Sequence, residues 1–113
     1  MTQAGYADGT WRQSQEKWSK IWFEKMCRFH GRKPRPTWEF SPEDAIAFLK
    51  DHVRRKTPAW KRLKIIESLM FYRRHVQAGS PDDLKFIHTK LESLAREEKI
   101  KRMCQGEEEE IDD

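Results

Sequence analysis

No run in this 113-residue chain approaches the ~20 consecutive apolar residues of a bilayer-spanning helix, and its amino end lacks the form of a secretion signal. Its five glycines are scattered and none precedes a Lys-Ser or Lys-Thr pair, which excludes a phosphate-cradling loop of the P-loop kind. HExxH is absent, no two of the four histidines share a helical turn, and Cys27 and Cys104 have no CxxC spacing. Zinc and redox chemistry are therefore not expected, and two isolated thiols fit a reducing compartment. Strand-like alternation of apolar and polar residues is missing as well, so regular structure has to come from helices. The adjacent carboxylates that do occur, Glu43–Asp44 and Asp82–Asp83, each follow a Ser-Pro pair and are explained as acids at helix starts. No catalytic residue, metal or cofactor is expected in this chain.

Charge is present in abundance and unevenly distributed. The net charge is +4, but residues 105–113, "QGEEEEIDD", hold six acids and no base, which leaves 23 cations against 13 acids over residues 1–104. Such a basic body favours a polyanion through its long-range field. An anionic membrane surface is the weaker choice, because no segment combines a basic polar face with a large exposed apolar face. The apolar share is low, at 36% against 37% charged, yet five Trp and six Phe supply large buried area per residue, enough for one small core.

Four helices are predicted. Residues 1–12 lack periodicity and read as a loosely ordered segment. From about Ser14 to His30, Trp18, Trp22, Met26 and Phe29 recur at helical spacing with Ile21 alongside, and Gly31 ends the run before "RKPRP". A second helix starts at the Ser41 cap and runs to about Arg55, with Ala45, Phe48, Leu49 and His52 or Val53 as its inner stripe. The third opens near Pro58, with Ile65, Leu69, Tyr72 and Val76 facing inward, and the fourth follows Ser80 with Leu84, Ile87, Leu91 and Leu94. The result is an all-α domain over residues 13–103, closed most simply as two helical hairpins, with residues 104–113 as an acidic disordered tail or linker.

The start of the third helix carries the wrong charge. "KTPAWKRLK", Lys56 to Lys64, has four cations and no acid, although a helix amino end presents free N–H groups and favours carboxylates. Cations are tolerable there when an external phosphate is the intended occupant. Arg54, Arg55, Lys56, Lys61, Arg62 and Lys64 crowd this one turn, and Arg32, Lys33 and Arg35 form a second basic cluster. Helical spacing puts Trp60, Lys61, Lys64, Ser68, Phe71 and His75 on the side of the third helix away from Ile65 and Leu69. That face is predicted to approach duplex DNA, with Lys61 and Lys64 on phosphates and Ser68 or His75 nearer base edges. Stacking of single strands is the weaker expectation, since Trp18, Trp22 and Phe29 fit a core stripe better than an exposed platform.

Three segments, "WFEKMCRFHGRKPRP" (Trp22–Pro36), "SPEDAIAFLKDHV" (Ser41–Val53) and "LKIIESLMFYRRHV" (Leu63–Val76), together resemble the N-terminal SAM-like, core-binding domain of tyrosine recombinases, the phage integrase family. The Phe-His-Gly after the first helix and the Phe-Tyr-Arg late in the third are most similar to integron integrases. The resemblance covers about Ser14 to Val76 and implies a SAM-like orthogonal bundle that forms half of a C-shaped clamp around DNA. It implies as partners duplex DNA, a catalytic domain of the same parent polypeptide and other recombinase protomers, in a bacterial cytoplasm at the nucleoid. The family's catalytic residues belong to that other domain, and Tyr72 matches a core position rather than the nucleophile. In the family the turn before the third helix offers small polar residues; here Ala59 and Trp60 depart from that pattern, while Lys61 and Arg62 suit phosphate. The acidic tail is expected to compete with DNA for the basic face. A helical protein-interaction module, docking through exposed "REEKIKR" (Arg96–Arg102), is the alternative function.

Overall fold

In the computed structural model the backbone is described over residues 2–112 and side chains over residues 13–103. The loose segment expected at 1–12 and the disordered tail expected at 104–113 lie outside the described side chains. Four α-helices and one 3-10 turn make up the fold: α1 (Thr2–Phe29), α2 (Pro42–Arg54), α3 (Ala59–His75), the turn Asp82–Leu84, and α4 (Lys85–Asp112). No helix among the described residues is long and apolar enough to cross a membrane.

Local sequence explains most of the boundaries. The α1 end is a Schellman closure: Gly31, at φ +71°, lets its N–H reach Arg28 O at 3.0 Å and the Arg32 N–H reach Cys27 O at 2.8 Å. At the start of α2, Ser41 and Asp44 form a reciprocal capping box, in which the Asp44 N–H donates to Ser41 Oγ at 3.2 Å and the Ser41 N–H to Asp44 Oδ2 at 2.8 Å. Pro42 sits at the first turn, where its missing donor costs nothing. The second Ser-Pro start behaves differently. Ser80 Oγ accepts from the Asp82 N–H at 3.2 Å, but the chain first makes the short 3-10 turn, and α4 begins only at Lys85.

The axis of the fold is α3, which packs on α1 along one side and on α4 along the other. Its buried arc of Ile65, Ile66, Ser68, Leu69, Tyr72 and Arg73 is wide enough to serve both. Phe23 of α1 stacks on Tyr72 with ring centroids 4.1 Å apart, and Phe40 and Trp38 from the α1–α2 loop close around Phe23. On the far side Leu84, Ile87 and Leu91 are buried, with Leu94 partly so, as the periodicity predicts.

Two expected stripes are corrected. On α1 the buried residues are Ser19, Phe23, Met26 and Cys27, so the core stripe is displaced from the Trp18–Trp22–Phe29 face and shares only Met26 with it. Ser19 conceals this in the sequence: its hydroxyl donates to Glu16 O at 2.9 Å, which lets a polar residue sit at zero exposure between the helices. Val76, expected in the α3 stripe, is exposed, as is Val53; His52 takes the inner position on α2. Arg73 was given no role by periodicity, and it is buried. Its guanidinium donates to the Asp83 carboxylate and to Phe40 O and lies 4.3 Å over the Phe40 ring, so it ties the α1–α2 loop to the turn before α4.

Candidate nucleic-acid interface

The amino end of α3 is closed from within the chain. Pro58 is its N-cap and has no donor; the Lys61 and Arg62 N–H groups donate to Pro58 O, each at 3.1 Å. The two remaining amides, Ala59 and Trp60, donate to the Glu98 carboxylate of α4 at 2.6 and 3.2 Å. Glu98 therefore does the work that Asp44 does for α2, from a distant part of the sequence. The expectation that an external phosphate takes these amides is corrected: none of them is left over.

What remains for an external anion is side-chain charge. The α2 end repeats the Schellman closure, with Lys56 at φ 61° in the place Gly31 holds after α1. The Lys56 N–H reaches Val53 O at 2.9 Å and the Thr57 N–H reaches His52 O at 2.9 Å. Arg62 Nε donates to Thr57 O at 3.2 Å and so braces the turn rather than projecting freely. Arg54 and Arg55 share Asp51, at 3.2 and 2.9 Å, while Lys64 reaches Glu67 at only 3.8 Å. Lys56 and Lys61 are exposed and have no carboxylate within ion-pair distance among the described residues. Exposed pairs of this kind contribute little and exchange readily, so Arg54, Arg55 and Lys64 also remain open to phosphate.

Beside these cations runs a groove of about 290 Å³ between α1 and α3, lined by Gln15, Trp18, Trp22, Trp60, Lys61, Lys64, Glu67 and Ser68. Trp18 is 49% and Trp60 44% exposed, and Lys25 lies 5.2 Å over the ring of the more buried Trp22. The face predicted to look at DNA is thus partly turned toward α1. Ser68 is only 5% exposed and lies at the groove floor, so its predicted approach to base edges is corrected: α1 packs across it. Nor are Trp18 and Phe29 core residues; both are exposed, which removes the reason for setting indole stacking aside.

His52 lies behind this corner. It meets the rings of Trp22 and Phe48 edge-on, at 5.7 and 4.8 Å, and its Nδ1 is 3.2 Å from Thr57 Oγ1. Burial and then the nearby Arg55 charge push its pKa below the ordinary 6.5.

The second basic cluster is elsewhere. Arg32 stacks on Trp38 at 4.7 Å, and with Lys33, Arg35, Thr37 and Glu39 it borders an open depression of about 490 Å³. Gln77 ties this loop to the carboxyl end of α3 by donating to Pro36 O at 2.9 Å and Trp38 O at 2.7 Å. Lys61 and Lys64 belong to the amino end of the same helix. The two clusters are therefore separated by about the ~25 Å length of 17 helical residues, and the fold does not merge them. His75 belongs with the carboxyl end; it is exposed, with its ring 4.3 Å from Phe71. Among the described residues no group of His, Cys, Asp and Glu is arranged to hold a metal ion, and Cys27 is a buried thiol whose pKa burial raises.

Comparison with protein-family models, with curated proteins and with solved structures gives no match for this chain.

Proposed function

We propose that the chain is a DNA-binding helical module that grips duplex phosphates with the α2–α3 corner and the indole-lined groove beside it. The observation that carries this reading is the pairing pattern at the corner. Glu98 is committed to backbone amides and Asp51 to two arginines, while Lys56 and Lys61 stand without a carboxylate and Lys64 has only a distant one. Uncompensated cations beside half-exposed indoles suit a sugar–phosphate backbone, with charge on the phosphates and rings against the sugars. Lys61 and Lys64 are the principal contacts, Lys56, Arg54 and Arg55 add charge, Arg62 acts through the turn it braces, and Arg32, Lys33 and Arg35 offer a second contact point.

The resemblance of the three sequence segments gives this activity a context. On that reading the bundle is SAM-like, with its helices in two orthogonal hairpins. It is the core-binding half of a tyrosine recombinase clamp, closed by a catalytic domain of the same polypeptide and acting at the bacterial nucleoid. Affinity of this module alone is then weak and steeply dependent on salt.

The test is a fluorescence-anisotropy titration of a labelled duplex over a series of salt concentrations. Lys61→Glu/Lys64→Glu should abolish binding at low salt while helicity by circular dichroism is retained. Wild-type retention of duplex DNA that is unaffected by this double charge reversal sinks the assignment of the corner. Absence of any retention at low ionic strength sinks the function.

A further inference from the structure

We infer that the groove between α2 and α4 is a self-association surface, filled by the acidic distal half of α4 from a second copy lying antiparallel. The groove, of about 260 Å³, has an apolar floor that includes Ile46, Leu49, Leu91 and Leu94. Its rim carries Lys50, Arg62 and Lys90 and no acid. Two of its apolar side chains are left in solvent, Phe86 at 59% exposure and Val53 at 49%. Exposed apolar side chains bordering an apolar groove and ringed by one sign of charge fit an apolar partner that brings the opposite sign.

Such a segment exists in the same sequence. At 100° per residue, Phe86, Lys90, Glu97 and Ile100 fall on one stripe of α4, and Ile100 is 55% exposed. Glu107 to Glu110 and Asp112 continue that helix, so its charge changes sign along its length, with Lys85 and Lys90 near one end and acids at the other. The groove cannot take the distal half of its own α4. The helix is continuous from Lys85 to Asp112, which places Ile100 ~21 Å beyond Phe86 along the axis. A second copy can supply it. An antiparallel arrangement sets the acidic end of each α4 against Lys50, Arg62 and Lys90 of the other, and it does so twice by symmetry; a parallel one would set acid against acid. The contact is remote from the α1–α3 groove, so it does not depend on DNA binding.

Sedimentation velocity on the full chain, from low to high micromolar concentration, tests this. The expected result is a concentration-dependent dimer that is weakened by salt and weakened on the order of tenfold or more by Phe86→Asp. Lys50→Glu/Lys90→Glu should remain monomeric alone, as should a chain with Glu107 to Glu110 changed to Lys. Mixing the two should restore a dimer through the one groove whose charges are again complementary. Every substituted position is on the surface, and circular dichroism confirms that each variant is folded. A chain that is monomeric at every concentration overturns the inference and leaves the groove to another partner. A dimer that survives both charge variants overturns it equally, because the association then lies elsewhere.

Discussion

Glu98 caps the amino end of α3 by accepting the Ala59 N–H at 2.6 Å, although 39 positions separate the two residues. The contact explains how a helix can start with Lys61, Arg62 and Lys64 and no acid of its own: the acid comes from α4, and it also fixes where α4 lies. Glu98→Ala should cost about 1–2 kcal/mol, the loss of an N-cap with charge-assisted bonds, read from urea unfolding. Glu98→Gln, which keeps an acceptor but loses the charge, should fall between the two. If both variants unfold like the wild type, the cap is not a stabilising contact.

Lys56 holds a conformation better suited to glycine. Its φ of 61° is required by the turn between α2 and α3, and Gly31 meets the same requirement at the end of α1. Lys56→Gly should therefore stabilise the fold by roughly 1 kcal/mol. The same change removes an unpaired cation from the proposed interface, so the slope of log affinity against log salt should drop by about 1. A variant that is both more stable and a poorer DNA binder would show that charge, not backbone preference, keeps a lysine there. Lys56→Ala separates the two effects, since it loses the charge and keeps the strain.

Features fixed within a few residues were legible in the sequence: the Ser41 box, the Gly31 cap, the inner stripes of α2 and α4, and the crowding of cations around Pro58. What escaped were the contacts made at long range. Nothing near Ala59 points to Glu98. The α1 stripe was misplaced because Ser19 looks polar, while Trp18 and Phe29 look as apolar as any core residue; only the approach of α3 decides which side is covered. Distance also split the predicted site, since Arg32, Lys33 and Arg35 read as neighbours of the α3 cations in charge but are held by Gln77 at the opposite end of the helix.

Arg73 is the buried polar residue on which the fold depends most. With its carbon chain packed and its guanidinium shared between Asp83 and Phe40 O, it joins three segments that have few other ties. Arg73→Ala leaves the Phe40 carbonyl without its donor and opens a void, and should cost about 3 kcal/mol or more. Asp83→Asn should cost much less, because the Asp83 side chain is 46% exposed and water can replace the pair. Thermal unfolding of the two variants distinguishes them; equal losses would place the energy in the ion pair instead of the bond to Phe40 O.

Acid should loosen the α2–α3 corner through His52. Its folded pKa lies below the ordinary 6.5, chiefly by burial and then by the Arg55 charge, so the unfolded chain takes up a proton first as pH falls. The stability tied to neutral His52 is complete above 6.5 and declines as pH drops from there through the lower folded value. Urea midpoints measured from ~7.5 down to ~5 should therefore fall, and His52→Phe should flatten that part of the profile even if it lowers stability overall. The imidazole resonance, followed by NMR, should titrate below 6.5. A His52 that titrates at or above that value would mean the ring is open to solvent, and the packing of Trp22 and Phe48 against it would be wrong.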